Sequence, residues 1–384
     1  MQTIVTILGV LSILAVAATA ETADFQTAAI GDEVAVGDAV VVLRERDVVP
    51  VVRNWCSEMF RFDGYDNAML RTLRKQEKLD AVLAKGTSEF DRQVRLMDWT
   101  FRRFKRFGPP GREGVANKPL AILKAIDAGA AFNCGYYADV CSAALRSCGY
   151  VTRAIGLKGA RSDGNGSGHA VLDVWSNEHR KWVLLDPTLN LHFVRDGVPL
   201  NAWEIRQAWF AHKGTDLKLV IGCGGEATTH TVADLPIARG THPGFGTLRI
   251  NERSLGKFAI LAYTPETPDG TPDYGKMFIT RDQYAEGIKF HTRRNPTDPA
   301  VEPYFPVQQT AIDLASAGDG VLSVRADTLM PDHAGWRHRL DGGRWTEGVP
   351  STWALHAGTN TLEIAAANKF GIVGRPSKVV LERK

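Results

Sequence analysis

The sequence predicts an α+β protein, with a core of helices plus antiparallel sheet followed by a small C-terminal β-sandwich. Apolar residues recur at helical spacing through 66–85, 88–107, 119–126 and 134–148. Two apolar runs, 168–175 and 180–187, flank a short polar turn and read as a strand hairpin. From about residue 245 the pattern changes to short strand-like runs separated by Pro, Gly, Asp and Thr.

The chain has 384 residues, which is long for a typical single domain and suggests two. Its 46 basic and 43 acidic side chains leave a formal charge of +3. A balance this close gives no reason to expect nucleic acid or an anionic membrane as partner. Residues 1–20 carry no charge, contain an apolar run over 4–18 and end in Ala18-Thr19-Ala20 before Glu21. This reads as a secretory signal peptide cleaved near Ala20, although the basic n-region is missing. A retained anchor is the competing reading; the run is shorter than the about 20 residues a span needs. The expected location is therefore periplasmic, extracellular or cell-envelope, with no transmembrane span in the mature chain. The cysteines are Cys56, Cys134, Cys141, Cys148 and Cys223, too few for a disulfide scaffold. An odd number leaves at least one thiol free or intermolecular.

Residues 21–60 read as a short N-terminus with strand-like pieces. In 66–85, Leu70, Leu73, Leu79, Val82 and Leu83 fall near i, i+3, i+4 repeats, with a stop at Lys85-Gly86. Ser88, three residues before Asp91, is a weak capping box for a second helix running to about Phe107. Gly108-Pro109-Pro110-Gly111 ends it. Phe101, Phe104 and Phe107 form a stripe on that helix, while Arg102, Arg103, Lys105 and Arg106 lie opposite, in the last turn. A buried apolar stripe with cations favouring the helix dipole explains this better than a nucleic-acid face. Segments 265–273 and 296–306 read as loops. Trp336, Trp345 and Trp353 are read as core packing rather than a glycan surface.

The segment Phe132-Asn133-Cys134-Gly135-Tyr136-Tyr137-Ala138 opens a helix that runs to Cys148 and stops at Gly149. Tyr137, Val140, Cys141, Ala144, Leu145 and Cys148 share one face. Cys134 stands at the helix start, where unpaired N–H groups and the dipole favour a thiolate. Cys141 and Cys148 fall on the buried face as packing residues. His169 lies on the first strand of the following hairpin and Asp186 at the end of the second. With a turn at Ser176-Asn177-Glu178-His179, Trp175 opposes Arg180 and His169 directly opposes Asp186, with Cβ atoms about 5 Å apart. A carboxylate there orients an imidazole that serves as base for the thiol. Cys134, His169 and Asp186 are thus the expected catalytic residues.

These stretches resemble the transglutaminase-like superfamily. The resemblance is carried by Cys134-Gly135-Tyr136-Tyr137-Ala138, by Leu145-Arg146-Ser147-Cys148-Gly149-Tyr150, by Gly168-His169-Ala170-Val171-Leu172-Asp173 and by Trp182-Val183-Leu184-Leu185-Asp186-Pro187. The flanks, from Ser88 and on to Asn190 and Trp203, resemble exported bacterial members. One departure is Asn133, where many members have Gly. The resemblance implies a papain-like, transglutaminase-like core, placed at 21–295 with its motifs at about 88–210, and the alternating strand and turn runs beyond it read as an Ig-like β-sandwich at 305–384. It also implies thiolate attack on an amide carbonyl to give a thioester, with water or an amine as acceptor. The oxyanion would meet the Cys134 N–H and one upstream donor, for which Trp99 and Asn133 are the candidates. No calcium loop or zinc spacing is found, so no metal or cofactor is expected. The expected partner is a protein, peptide or cell-envelope amide, with hydrolysis slightly favoured over transamidation. The alternative is a non-catalytic peptide- or glycan-binding protein on the same fold.

Overall fold

A computed structural model of the chain describes residues 25–49, 51–60, 62, 64–108, 118–159, 168–242, 246–265, 273, 277–280 and 297–384. The expected signal peptide, Pro109-Pro110-Gly111 and nearly all of the 265–273 loop lie outside these residues.

Strands β1 (Glu33–Val36) and β2 (Ala39–Asp47) come first, then helices α1 (Trp55–Met59), α2 (Ala68–Gln76), α3 (Leu79–Leu83), α4 (Glu89–Arg103), α5 (Pro119–Asp127) and α6 (Cys134–Ser147). Strands β3 (Thr152–Lys158), β4 (Gly168–Ser176), β5 (Lys181–Leu185), β6 (Leu191–Arg195) and β7 (Val198–Pro199) follow, with helix α7 (Ala202–His212) and strands β8 (Lys218–Ile221) and β9 (Thr228–Thr231) after them. Then come β10 (Ile237–His242), β11 (Gly246–Ile250), helix α8 (Glu252–Gly256), β12 (Ile260–Thr264) and β13 (Phe278–Ile279). The last strands are β14 (Ala311–Gly318), β15 (Val321–Asp327), β16 (His333–Leu340), β17 (Thr346–Glu347), β18 (Thr352–Ala354), β19 (Gly358–Asn368) and β20 (Ser377–Arg383). Helices joined to antiparallel sheet make this an α+β core with a β-rich C-terminal region.

The expected helix over 66–85 is two helices. Lys78 takes a left-handed φ of 53° between α2 and α3 and turns the chain. On either side of the turn, Leu70 and Leu73 enter one apolar cluster and Leu79 another. The Ser88 cap forms as the spacing predicts, its hydroxyl accepting the Asp91 N–H at 3.2 Å. That helix, α4, stops at Arg103, short of Phe107. Phe104 is already extended and stacks on Tyr137 with ring centroids 3.8 Å apart, while Phe107 bridges to Phe132. The phenylalanines are therefore packing residues, but not one helical stripe. Arg102 and Arg103 are taken up by carboxylates, Asp98 and Glu226 for the first, Glu77 and Asp127 for the second.

Helix α6 is the centre of the core. Every residue from Tyr137 to Ser147 is buried, so the expected single buried face is too modest. Cys141, Ala144, Leu145 and Cys148 pack on Leu172, Val174, Val183 and Leu185 of β4 and β5. Tyr137, Val140 and Ala143 meet α2 and α5. Each large aliphatic side chain buried here stabilises the fold by roughly 1.5–3 kcal/mol. The sheet beneath runs in the order β13-β12-β3-β4-β5, antiparallel throughout. Its other face closes a second cluster with Val171, Trp175, Trp182 and Leu184.

The C-terminal strands form two sheets around one apolar core. The first has the order β1-β2-β20-β19-β16-β17 and the second β14-β15-β18. Strand pairing thus does not follow the expected division at 295–305. β2 lies alongside β20, with Val42 opposite Glu382 and Arg46 opposite Val379. Val34, Val36, Val41 and Leu43 supply the apolar face that makes these N-terminal strands part of this core. Trp353 is buried in it, whereas Trp345 stays exposed against Arg339.

Candidate active site

The nucleophile candidate stands where local chemistry starts a helix. Phe132 is buried and held in extended backbone by the Phe107 bridge. Asn133 is the N-cap, with φ −88° and ψ −179°, and its side-chain oxygen accepts the Gly135 N–H at 3.1 Å. Cys134 is then the first helical residue, half-buried, at the positive end of a 14-residue dipole.

His169 is the second residue of β4, opposite Leu157 of β3. Asp186 follows β5 and closes a turn: its N–H donates to the Leu191 carbonyl at 2.9 Å, and the Leu191 N–H returns at 3.1 Å. Inside that turn Asp186 Oδ1 accepts the Thr188 and Leu189 N–H groups, each at 3.0 Å. Its Oδ2 lies 2.7 Å from His169 Nε2. One oxygen is therefore fixed by backbone and the other is aimed at the imidazole.

The hairpin register differs from the expected one by two residues. Trp175 opposes Trp182 and Ser176 opposes Lys181, so the turn is Asn177-Glu178-His179-Arg180. Trp175 Nε1 donates to Asn177 Oδ1 at 2.9 Å, the His179 N–H donates to Ser176 Oγ at 3.2 Å, and Arg180 takes a left-handed φ of 54°. A shift of two keeps both side chains on one face. His169 and Asp186 meet diagonally, Asp186 reaching across from the turn beyond the end of the ladder.

The structure brings Cys134, His169 and Asp186 together. With Nε2 committed to Asp186, Nδ1 is the imidazole nitrogen left for the thiol, which is hydrogen-bonded to the same ring. Burial pushes the Cys134 thiol up, but the His169 hydrogen bond and charge, with the Ala170 N–H, pull it down further. The net shift is below the ordinary thiol value of 9.0. Burial works against protonated His169, yet the Asp186 charge and hydrogen bond outweigh it and raise the imidazole from 6.5 to about 9. Each partner favours the charged form of the other, the arrangement of a thiolate beside an imidazolium. The ring is 12% exposed and Asp186 5%, so the pair is largely shielded from solvent.

The two oxyanion candidates fall in different settings. Asn133 touches the site as the α6 cap. Trp99 is half-buried on α4, between the two apolar clusters that flank α6. Sequence reasoning missed the support behind Asp186. Asn190, left-handed at φ 52°, donates from Nδ2 to Asp98 Oδ1 at 2.6 Å, and Arg102 Nε holds the other Asp98 oxygen at 2.7 Å. The only advance signal was Asn190 itself, a residue suited to positive φ, four places after Asp186.

Residues 77–187, which include all three side chains, match the Transglutaminase-like superfamily. That segment is a transglutaminase-like domain. A crystal structure of red sea bream transglutaminase aligns with 84% of this chain and 74% of its own at 11% identity and a TM-score of 0.26, a likeness too loose to bear on the chemistry. No curated protein matches the chain.

Proposed function

We propose that the chain is a cysteine acyl-transfer enzyme acting on amide bonds. The Cys134 thiolate attacks the amide carbonyl carbon and a tetrahedral oxyanion forms. His169 then gives its proton to the leaving nitrogen, the C–N bond breaks, and a thioester remains on Cys134. Water or an amine attacks the thioester, His169 takes the proton from that nucleophile, and the thiolate leaves. Asp186 holds the ring and stabilises its charged form. The developing oxyanion takes the Cys134 N–H, with Trp99 or Asn133 as the second donor. Hydrolysis is the reaction we favour, because water always has access. Export, with cleavage near Ala20, belongs to the same proposal, as does a C-terminal β-sandwich that takes β1 and β2 into its first sheet.

The observation that carries this reading is the 2.7 Å bond from His169 Nε2 to Asp186 Oδ2, in a ring whose other side serves the thiol at a helix N-terminus. A binding protein has no use for that alignment. The test is to trap the acyl-enzyme with cell-envelope extract, compare Cys134→Ala, and identify the acyl group by mass spectrometry. Iodoacetamide at neutral pH should also label Cys134 ahead of Cys141 and Cys148. Equal labelling, or no adduct dependent on Cys134, would overturn the proposal.

A further inference from the structure

A cavity of about 460 Å³ opens between α4 and the loop after β8. Arg95, Asp98, Trp99 and Arg102 line one wall, spaced i, i+3, i+4 and i+7 on the helix. Cys223 and Gly224 line the facing wall, and Lys85 stands at the end. The cavity is linked to the candidate active site through Asp98. Asp98 takes the Asn190 side chain at 2.6 Å, and Asn190 lies in the turn that aims Asp186 at His169.

The charges divide into spent and available. Asp98 is engaged by Asn190, by Arg102 and by the Cys223 thiol. Arg102 gives Nε to Asp98 and Nη2 to Glu226 at the exposed rim, so two carboxylates already balance its charge. Arg95 gives only Nε to Asp91, at 3.0 Å. Among the described residues nothing accepts from its two terminal nitrogens. Gly224, with φ +55°, leaves room for them: a Cβ there would sit 2.7 Å from Arg95 Nη2. Lys85 is exposed and has no ion pair among the described residues. The lining cations that no second carboxylate balances are thus the Arg95 guanidinium, with both terminal nitrogens open, and the Lys85 ammonium, beside the Trp99 indole. A guanidinium fork matches a carboxylate two bonds at a time.

We propose that this cavity is a carboxylate subsite for the acyl donor, so that the amide substrate carries an acidic group, bound by Arg95 and Lys85. This rests on the acyl-transfer reading above. Cys223 provides a reporter inside the cavity that is independent of Cys134. Its thiol is pushed up to about 11 by burial and by the Asp98 charge, so alkylation is followed at pH 9 with site-resolved mass spectrometry. The quantity read is the iodoacetate to iodoacetamide rate ratio at Cys223, relative to the same ratio in the denatured chain. Both reagents meet the same thiolate, so the ratio isolates attraction of the carboxylate.

The expected ratio is about threefold or more above the denatured value at low salt, collapsing in 1 M NaCl. Arg95→Gln and, at an exposed position that leaves the fold intact, Lys85→Gln should each lower it. A ratio equal to the denatured value, insensitive to both substitutions, overturns the subsite. So does a neutral acyl group trapped on Cys134, where one bearing a free carboxylate supports it. A flat Cys223 ratio with Cys134 still hyper-reactive removes the subsite alone. An unreactive Cys134 removes the acyl-transfer reading and leaves the alkylation ratio to stand by itself.

Discussion

Strand β4 carries two charged pairs four residues apart, and they have opposite characters. Asp173 is bound by Arg153 Nε at 3.2 Å and Nη2 at 2.9 Å, and both side chains are 0% exposed. Arg153 is boxed by the rings of Phe60, Trp182, Tyr263 and Tyr304, with its carbon centre 4.3–5.7 Å from their centroids. His169 and Asp186 form the other pair, at the opening of the same sheet, with a thiol as third member. Both pairs join a cation to a carboxylate, Arg153 to Asp173 across β3 and β4, and His169 on β4 to Asp186 in the turn after β5. The difference is the cation and its surroundings. A guanidinium does not give up its proton, so the Arg153 pair can only hold structure. An imidazole raised to about 9 can release and regain one, and a nucleophile stands on its other side.

Breaking each pair should therefore damage a different property. Cys134→Ala should abolish acyl-enzyme formation, and Asp186→Asn should slow it by roughly 10³- to 10⁴-fold by removing the charge that orients and supports His169. The rate of acyl-enzyme accumulation with envelope extract measures both, and unfolding midpoints should move little. Arg153→Met should do the reverse. It strands a buried carboxylate and should cost about 3–5 kcal/mol in a denaturant titration, while folded protein keeps its preferential Cys134 labelling. Arg153→Met combined with Asp173→Leu should recover much of that loss, since a well-packed apolar pair does not carry the desolvation cost. A single substitution that removed stability and labelling together would erase the distinction between the pairs.

The pH response sharpens it. Cys134 is lowered from 9.0, so its alkylation should be half-maximal below pH 9.0 and should fall as pH drops through the folded thiol value. In His169→Ala the hydrogen bond and charge are gone while burial remains, so the midpoint should move upward. Acyl transfer also needs the imidazole proton for the leaving nitrogen, and its rate should decline as pH rises through about 9. The sign for stability follows from the same proton. His169 binds it more tightly folded than unfolded, so its contribution is full below 6.5 and is lost as pH rises through about 9. Unfolding midpoints across that window should fall more in the wild type than in His169→Gln.

What could be read in advance divides along similar lines. Cys134 at a helix start, and His169 and Asp186 on one face, rest on local periodicity and on the parity of a hairpin. Those survive a two-residue slip. The slip itself was not legible, because the turn is closed by Trp175 with Asn177 and by Ser176 with His179, contacts that leave no mark on the apolar pattern. The Arg153 box was not legible either. Its rings come from positions 60, 182, 263 and 304, and no short window contains them. The pairing of β2 with β20 joins the two ends of the chain, so an N-terminal strand hairpin could not announce its partner. The end of α4 at Arg103 depended on Tyr137 waiting to stack on Phe104, again a distant residue.

The smallest effect is expected at Asn133, where cap and oxyanion donor can be separated. Its Oδ1 accepts the Gly135 N–H, and its Nδ2 is the group that would serve an oxyanion. Asn133→Ala removes both and should cost about 1 kcal/mol through the lost cap. Asn133→Ser keeps a neutral capping acceptor but has no amide, so its unfolding midpoint should stay near that of the wild type. If Asn133 serves only as a cap, the Ser variant forms acyl-enzyme at the wild-type rate and the second donor is left to Trp99. If Nδ2 meets the oxyanion, the same variant is stable yet slower by roughly 10²-fold, the scale of one lost oxyanion donor. Measuring midpoint and acylation rate on the same two variants therefore decides whether the residue that starts α6 also acts on the substrate.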